Sequence, residues 1–423
     1  MTAHQDVLHG SNLHLLAVVR DNFAHAVVTD PPYGLSFMGK DWDKALPDPR
    51  TWSECLRVLR PGGHLVAFGA PRLVHRLTCQ IEDAGFEVRD QLLWVFGSGF
   101  PKSLDVSKAI DAAAGAVRER VPATGGLHNN NNLNDDGWAN IGAAAPTQAS
   151  NTPATPDAAR WSGWGTALKP AYEPIVLARK PLDGTVAQTV QRWGTGAINV
   201  DGCRVETDGS RPLIEVRHGD APTQYGTYGA RAEGSRSAGT TPTGRWPANL
   251  ILDEAAGALL DQQSGTRRSA GDYPSDAERG SDNATSFGGK PGKPYSDSGG
   301  ASRFFYCPKA SRSEREAGLD HLPPRVVDPS REEDAAARDN PRTGAGRSGE
   351  GRRNHHATVK PVELMRWLVR LVCPPGGIVL EPFAGSGTTL VACAIEGVDA
   401  VGMEIDAEYV AIARARIAHA RTA

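Results

Sequence analysis

Asp30-Pro31-Pro32-Tyr33 is the stretch of this chain best suited to chemistry, because it sets a carboxylate beside two residues that stiffen the backbone. A carboxylate and a backbone carbonyl held side by side accept both N–H bonds of an amino group conjugated to an aromatic ring. Such an amine is a poor nucleophile, since its lone pair is delocalised into the ring. Two acceptors draw the nitrogen toward tetrahedral geometry and free that pair. Asp30 supplies the first acceptor and the Pro31 carbonyl the second, while Pro31 and Pro32 leave no N–H of their own to satisfy. Tyr33 offers a ring on which a flipped-out base would stack. In isolation, D-P-P reads equally well as a proline turn capped by Asp.

The second motif is Leu380-Glu381-Pro382-Phe383-Ala384-Gly385-Ser386-Gly387-Thr388-Thr389, an apolar run entering a glycine loop and a helix. Glycines let a bulky ligand approach the backbone. Glu404 and Asp406 follow about twenty residues on, where a dinucleotide-type fold carries the acid that binds ribose hydroxyls. A pyrophosphate loop would want a third glycine, and Leu390 stands in its place. The pattern therefore favours adenosylmethionine over a nicotinamide dinucleotide. The bland alternative is a tight strand-to-helix turn with a surface acid.

Regular elements must carry both motifs. Residues 24–29 form an apolar, β-branched strand that stops at the prolines; a helix over 13–19 precedes it. A helix over 51–59, a stop at Pro61-Gly62-Gly63 and a strand over 64–68 follow, with further strands over 87–96 and 174–178. The C-terminal part reads as a helix over 362–372, a turn over 374–377, a strand over 378–381, a helix toward Glu396, a strand over 400–405 and a helix over 408–420. Residues 111–165, with Asn129 to Asn132 in a row, have the composition of a loop-like insertion. Residues 181–353 are similarly irregular, with short element candidates at 196–200, 247–253 and 303–307.

The 423 residues are 39% hydrophobic, enough for a buried core, and 46 basic side chains nearly balance 49 acidic ones. A surface for nucleic acid must therefore be local. Six cysteines without a C-x-x-C pair argue against a disulfide framework or a zinc knuckle, and no metal is expected. The N-terminus lacks the pattern of a secretory signal, and no apolar run approaches about 18 residues, so a cytoplasmic, non-membrane setting is expected.

With both motifs in view, the chain resembles the amino-group-specific (N6-adenine/N4-cytosine) DNA methyltransferases of the β-type permuted arrangement, in which D-P-P-Y precedes F-x-G-x-G. The resemblance implies a doubly wound, Rossmann-like α/β sheet, mostly parallel with one antiparallel strand, circularly permuted and interrupted by a large irregular insert. It implies transfer of a methyl group from S-adenosyl-L-methionine to N6 of adenine in double-stranded DNA, with the target base flipped out. Asp30, Pro31, Pro32 and Tyr33 would be catalytic. Phe383, Ala384, Gly385, Ser386, Gly387, Thr388, Glu404 and Asp406 would bind the cofactor, with Thr358, Lys360 and Pro361 enclosing its methionine end. Relatives often place an acid after the glycine that ends the first strand; here Gly10 is followed by Ser11 and Asn12.

The implied organisation is a catalytic half at 1–110, a low-complexity insertion at 111–165, a sheet strand at 166–180, a target-recognition region at 181–353 and a cofactor-binding half at 354–423. Arg342, Arg347, Arg352 and Arg353 form a stretch, relieved by Glu350, that suits either phosphate contact or a solvated run. Lys40, Trp42 and Asp43 line either the base pocket or a surface lid. A homodimer and a cognate restriction endonuclease are open as partners. The rival activities are N4-cytosine methylation, which uses the same acceptors, and a catalytically silent DNA-binding relative. A C5-cytosine enzyme would need a Pro-Cys nucleophile, and the chain has only Cys307-Pro308 and Cys373-Pro374.

Overall fold

A computed structural model describes residues 3–35, 41–97, 99, 103–122, 147–206, 244–268, 298–308, 313–325 and 352–422. They fall into two units, one of Met1–Ser98, Tyr172–Leu319 and His356–Ala423, the other of Gly99–Ala171 and Asp320–His355. In chain order the elements are β1 (Gln5–His9), α1 (Asn12–Ala17), β2 (Ala24–Thr29), α2 (Pro49–Val58), β3 (Leu59–Phe68), α3 (Val74–Asp83), β4 (Glu87–Val95), α4 (Val106–Ala113), β5 (Arg120–Pro122), β6 (Thr147–Ala149), α5 (Pro156–Arg160), β7 (Tyr172–Arg179), α6 (Val186–Trp193), β8 (Leu250–Leu252), α7 (Glu254–Ser264), β9 (Arg267–Arg268), β10 (Ser298–Gly299), α8 (Ser313–Glu316), α9 (Val362–Val372), β11 (Ile378–Glu381), α10 (Thr388–Glu396), β12 (Asp399–Glu404) and α11 (Ala407–Ala420).

The larger unit is built on an eight-stranded sheet in the order β1-β12-β11-β2-β3-β7-β4-β8. Its neighbours pair in parallel except at β7, which runs antiparallel to both β3 and β4. The expected mostly parallel sheet with one reversed strand is therefore what the chain forms. Successive strand residues point to opposite faces, and both faces are covered. Val28, Val66 and Phe68 join one apolar cluster with Leu364, Met365 and Leu368 of α9. Val27, Leu65 and Ala67 join another with Trp52 of α2 and Leu77 and Ile81 of α3. Burial on both sides explains why β2 does not alternate apolar and polar residues but is mostly apolar, with His25 and Thr29 buried as well. Truncating a fully buried residue such as Leu364 to Ala would cost about 2–5 kcal/mol.

Two expectations are corrected. Pro61-Gly62-Gly63 does not end an element, because β3 runs through it as a bulge, the register jumping between Ala24 with Leu59 and Ala26 with His64. Gly62 has φ +76°, and a Cβ on Gly63 would lie 2.9 Å from the carbonyl oxygens of Arg60 and His25, so glycine lets the strand pass where a side chain would collide. Residues 196–200 form neither strand nor regular helix, only a bend leading into a short turn at Asp201–Cys203.

The smaller unit holds α4, α5 and the antiparallel pair β5 and β6. Around it the segment expected to be a loop-like insertion is organised by a buried ion pair, Arg118 Nε lying 2.6 Å from Asp111 Oδ2. The same carboxylate accepts bonds from Ala154 N, Thr155 N and Thr155 Oγ1. Such a fully partnered ion pair leaves none of these buried donors unsatisfied. The boundary expected at residue 111 falls inside α4. Asn129 to Asn132, Lys40, Arg342 and Arg347 lie outside the described residues, whereas the backbone of Arg352 pairs with that of Arg325. Among the described residues no helix is long and apolar enough to cross a membrane.

Candidate active site

β2 ends at Thr29, between β11 and β3, so Asp30 emerges at the C-terminal ends of the parallel strands, where ligands of open α/β sheets bind. The loop that follows is shaped by Asp43. Its buried carboxylate accepts from Tyr33 N at 2.6 Å, Gly34 N at 3.0 Å and Leu35 N at 3.3 Å. Asp43 is thus the staple of this loop rather than part of a lid. Trp42 lies over the His356 ring, with centroids 6.0 Å apart and planes 19° from parallel.

Asp30 is at the centre of a four-residue polar cluster. Lys360 Nζ lies 2.8 Å from Asp30 Oδ2 and 3.1 Å from Glu173 Oε2. The Tyr33 hydroxyl stands 2.9 Å from Asp30 Oδ1 and 3.0 Å from Glu173 Oε2, and accepts from Lys360 Nζ at 3.1 Å. Burial works against the Lys360 charge, yet the Asp30 and Glu173 carboxylates outweigh it and hold the ammonium protonated, above the usual lysine range. Burial and the same two carboxylates push the Tyr33 phenol well up.

Two placements add detail to the sequence reading. Lys360, expected at the methionine end of a cofactor, directs its ammonium at Asp30. Tyr33, expected to stack on a base plane, has its hydroxyl between two carboxylates, and the Lys360 ammonium sits 5.3 Å from its ring centroid. Glu173 was not among the residues singled out from sequence. Because β7 is antiparallel, its first residues lie at the end of the sheet where β2 finishes, and an acid there was the available signal. Trp94, the register partner of Glu173 on β4, carries a buried indole N–H with no acceptor among the described residues.

The second half of the site lies on β11 and β12, and β11 is the parallel neighbour of β2. The two motifs therefore meet, and Thr29 Oγ1 donates directly to Glu381 Oε1. Glu381 also accepts from Phe383 N at 3.0 Å and Thr389 Oγ1 at 2.7 Å. Burial pushes its carboxyl up to about 8 in spite of these donors. Sequence reading passed over Glu381 although it stands inside the quoted motif; a charge closing an apolar strand was the sign.

Gly385 and Gly387 adopt φ of +51° and +79°. A Cβ on Gly385 would come within 2.8 Å of His356 Nε2, and one on Gly387 within 2.7 Å of Ala413 Cβ. Gly385 N donates to Glu404 Oε2 at 2.7 Å, and Asp406 N donates to Glu404 Oε1 at 2.9 Å. Burial raises the Glu404 carboxyl above the usual range.

The other cofactor candidates make contacts within the fold. The Ser386 carbonyl and the Thr388 hydroxyl bind the buried Arg416 guanidinium of α11 at 2.7 and 3.1 Å. Ala384 is buried under β12, and Asp406 caps α11 by accepting from Glu408 N. Pro361 is the N-cap of α9, and the Thr358 carbonyl faces His356 Nδ1 at 2.9 Å. Burial holds the His356 ring neutral, down at about 4. Phe383 packs on Trp52, with ring centroids 6.4 Å apart.

A family model described as DNA methylase, N6_N4_Mtase, matches residues 24–415. Among curated proteins the chain is similar to the type II methyltransferase M.XycI of Xanthomonas campestris pv. cyanopsidis, 42% identical over 62 residues, which is 15% of this chain and 21% of that protein. It is similar also to the DNA adenine methyltransferase YhdJ of Escherichia coli, 38% identical over 63 residues, 15% of this chain and 21% of that protein. The chain spans between 21% and 28% of the length of the first curated relatives it matches. Among solved structures it is similar to the M1.HpyAVI–SAM complex at 13% identity and TM-score 0.37, covering 97% of this chain and 99% of that one. It is similar also to the cytosine-N4-specific PvuII DNA methyltransferase at 12% identity and TM-score 0.42, covering 98% of this chain and 87% of that one.

Proposed function

The chain belongs to the N6/N4 DNA methylase family, and on that premise we propose that it transfers a methyl group from S-adenosylmethionine to the exocyclic amine of a DNA base, N6 of adenine. The observation that carries the reading is the joining of the two motifs: the Asp30 strand and the glycine-loop strand are parallel neighbours, bridged by Thr29 and Glu381.

The residues present fit the cofactor. Gly385 and Gly387 turn at positive φ with no side chain to shield the loop backbone, and the Glu404 carboxylate at the end of β12 stands where such folds bind ribose hydroxyls. The position where a pyrophosphate loop wants glycine is the fully buried Leu390, which suits a ligand without phosphate. When bound, adenosylmethionine supplies an electrophilic methyl group on a sulfonium.

The chain's own residues then handle the amine. The Asp30 carboxylate and the Pro31 carbonyl accept its two N–H bonds, and the loop held by Asp43 keeps those acceptors fixed before the base arrives. Double-stranded DNA is the substrate, with one base flipped out of the stack so that its amine reaches Asp30. The same acceptors suit N4 of cytosine, and D-P-P-Y favours adenine.

The test is to incubate whole-genome-amplified DNA with the protein and methyl-labelled adenosylmethionine, then resolve the labelled nucleosides by mass spectrometry. N6-methyladenine is expected. N4-methylcytosine alone would replace adenine by cytosine as the target, and no label in DNA would sink the reading. Asp30→Ala should lower the rate by at least about 100-fold while leaving cofactor affinity, measured by calorimetry, within about threefold.

A further inference from the structure

The cluster around Asp30 contains a second carboxylate that holding an amine does not require. Glu173 reaches Asp30 by one hop, since the Tyr33 hydroxyl lies 2.9 Å from Asp30 Oδ1 and 3.0 Å from Glu173 Oε2. A phenol carries one proton and can give it to one neighbour at a time, so this hydroxyl is poised to pass a proton from one carboxylate to the other. The Lys360 ammonium faces both, at 2.8 and 3.1 Å, so the charge left on either acid is compensated by the same cation. Lys360 also donates to the Tyr33 oxygen at 3.1 Å, which turns the phenolic proton toward the carboxylates. Among the described residues, the titratable groups facing Glu173 are Asp30, Tyr33 and Lys360; its register partner across β4 is Trp94, which does not titrate.

We propose that Glu173 is the destination of the proton shed by the methylated amine, reached through Asp30 and Tyr33. This rests on the methyltransferase reading above. The amine nitrogen forms a bond to the methyl carbon as the carbon–sulfur bond breaks with its electron pair on sulfur. The nitrogen then carries one positive charge and one proton too many. Asp30 takes that proton, Tyr33 gives its own to Glu173 while receiving the one from Asp30, and Asp30 returns to the carboxylate. Glu173, whose side chain is 24% exposed, releases the proton to solvent. Glu173 never touches the base; it acts through two residues that do or can.

A residue with this task leaves a signature that a merely structural acid does not. Single-turnover methylation of amplified genomic DNA by the full chain is measured between pH 6 and pH 9 for the native protein, Glu173→Gln, Glu173→Asp and Tyr33→Phe. The expected result is a rate about 100-fold lower at pH 7 in Glu173→Gln and Tyr33→Phe, climbing with pH in both as hydroxide replaces the relay. Glu173→Asp should recover much of the rate and the native profile. Cofactor affinity by calorimetry should be unchanged throughout. A Glu173→Gln or Tyr33→Phe protein that binds the cofactor and keeps the native pH profile overturns the relay. If Glu173→Gln fails to fold, Tyr33→Phe, which keeps the ring, decides alone. Absence of methylation by the native chain removes the function reading, and the relay with it, whereas native activity with unchanged variant profiles removes only the relay.

Discussion

The carboxylates at the end of β2 and those at the ends of β11 and β12 are satisfied in opposite ways. Asp30 and Glu173 share one buried ammonium and a phenol. Glu381 is held by two threonine hydroxyls and a backbone N–H, and Glu404 by the N–H groups of Gly385 and Asp406. Where a cation is buried with the acids, the carboxylates hold its charge in place, and the Lys360 ammonium stays protonated in spite of burial. Where only neutral donors serve, burial dominates and the acid is pushed toward its neutral form, as the value of about 8 for Glu381 records. One region pairs its acids with a cation, the other with neutral donors.

Lys360→Met should break this contrast most severely. It strands two carboxylates that keep 18% and 24% of their side-chain exposure, so the loss is on the order of 2–3 kcal/mol, less than the ~3–5 of a fully buried broken pair. Denaturant unfolding checks the stability, and the methylation assay should show at least a 100-fold loss.

Glu381→Gln sharpens the other side. A carboxyl whose folded value lies above its unfolded one binds its proton more tightly when folded. The stability it contributes is therefore fully present below the unfolded value, near 4.5, and is lost as pH rises through about 8. Glutamine does not titrate, so the melting temperature of the native protein minus that of the variant should fall steadily between pH 5 and pH 8.5. A flat difference would mean that Glu381 is ionised throughout.

How much of this was legible beforehand follows the same division. The strands β2, β3, β4, β7, β11 and β12 and the helices α9, α10 and α11 could be read because periodicity and glycine spacing are local signals, whereas the meeting of the two motifs is a long-range pairing. The partners could not. Glu173 joins Asp30 only because β7 reverses direction, and Lys360 only because α9 begins across from the end of β3. Arg416, on the last helix, donates to the Ser386 carbonyl and the Thr388 hydroxyl, a partner no local pattern announces. Pro61-Gly62-Gly63 carries the composition of a stop and is a bulge, since the pairing on either side overrides a local turn preference.

Two smaller substitutions refine the picture. Gly385→Ala forces a Cβ toward His356 Nε2 at φ +51°, a conformation costing about 1–2 kcal/mol outside glycine. Adenosylmethionine affinity should fall by about tenfold in calorimetry. Trp94→Phe removes an indole N–H that has no acceptor among the described residues, so lost ring area and relieved desolvation should nearly cancel, within about 1 kcal/mol by thermal melting. A loss above ~3 kcal/mol would show that this N–H is bonded in solution.

The sheet order also has a cost during synthesis. β2 pairs with β11, and β1 with β12, so the inner edge of the strand that leads into Asp30 finds its neighbour only after roughly 350 further residues have been made. At ~5–20 residues per second, a ribosome needs on the order of 20–70 seconds to deliver that partner. For that time an apolar strand has an unpaired border, which is the condition under which nascent chains aggregate and chaperones are recruited.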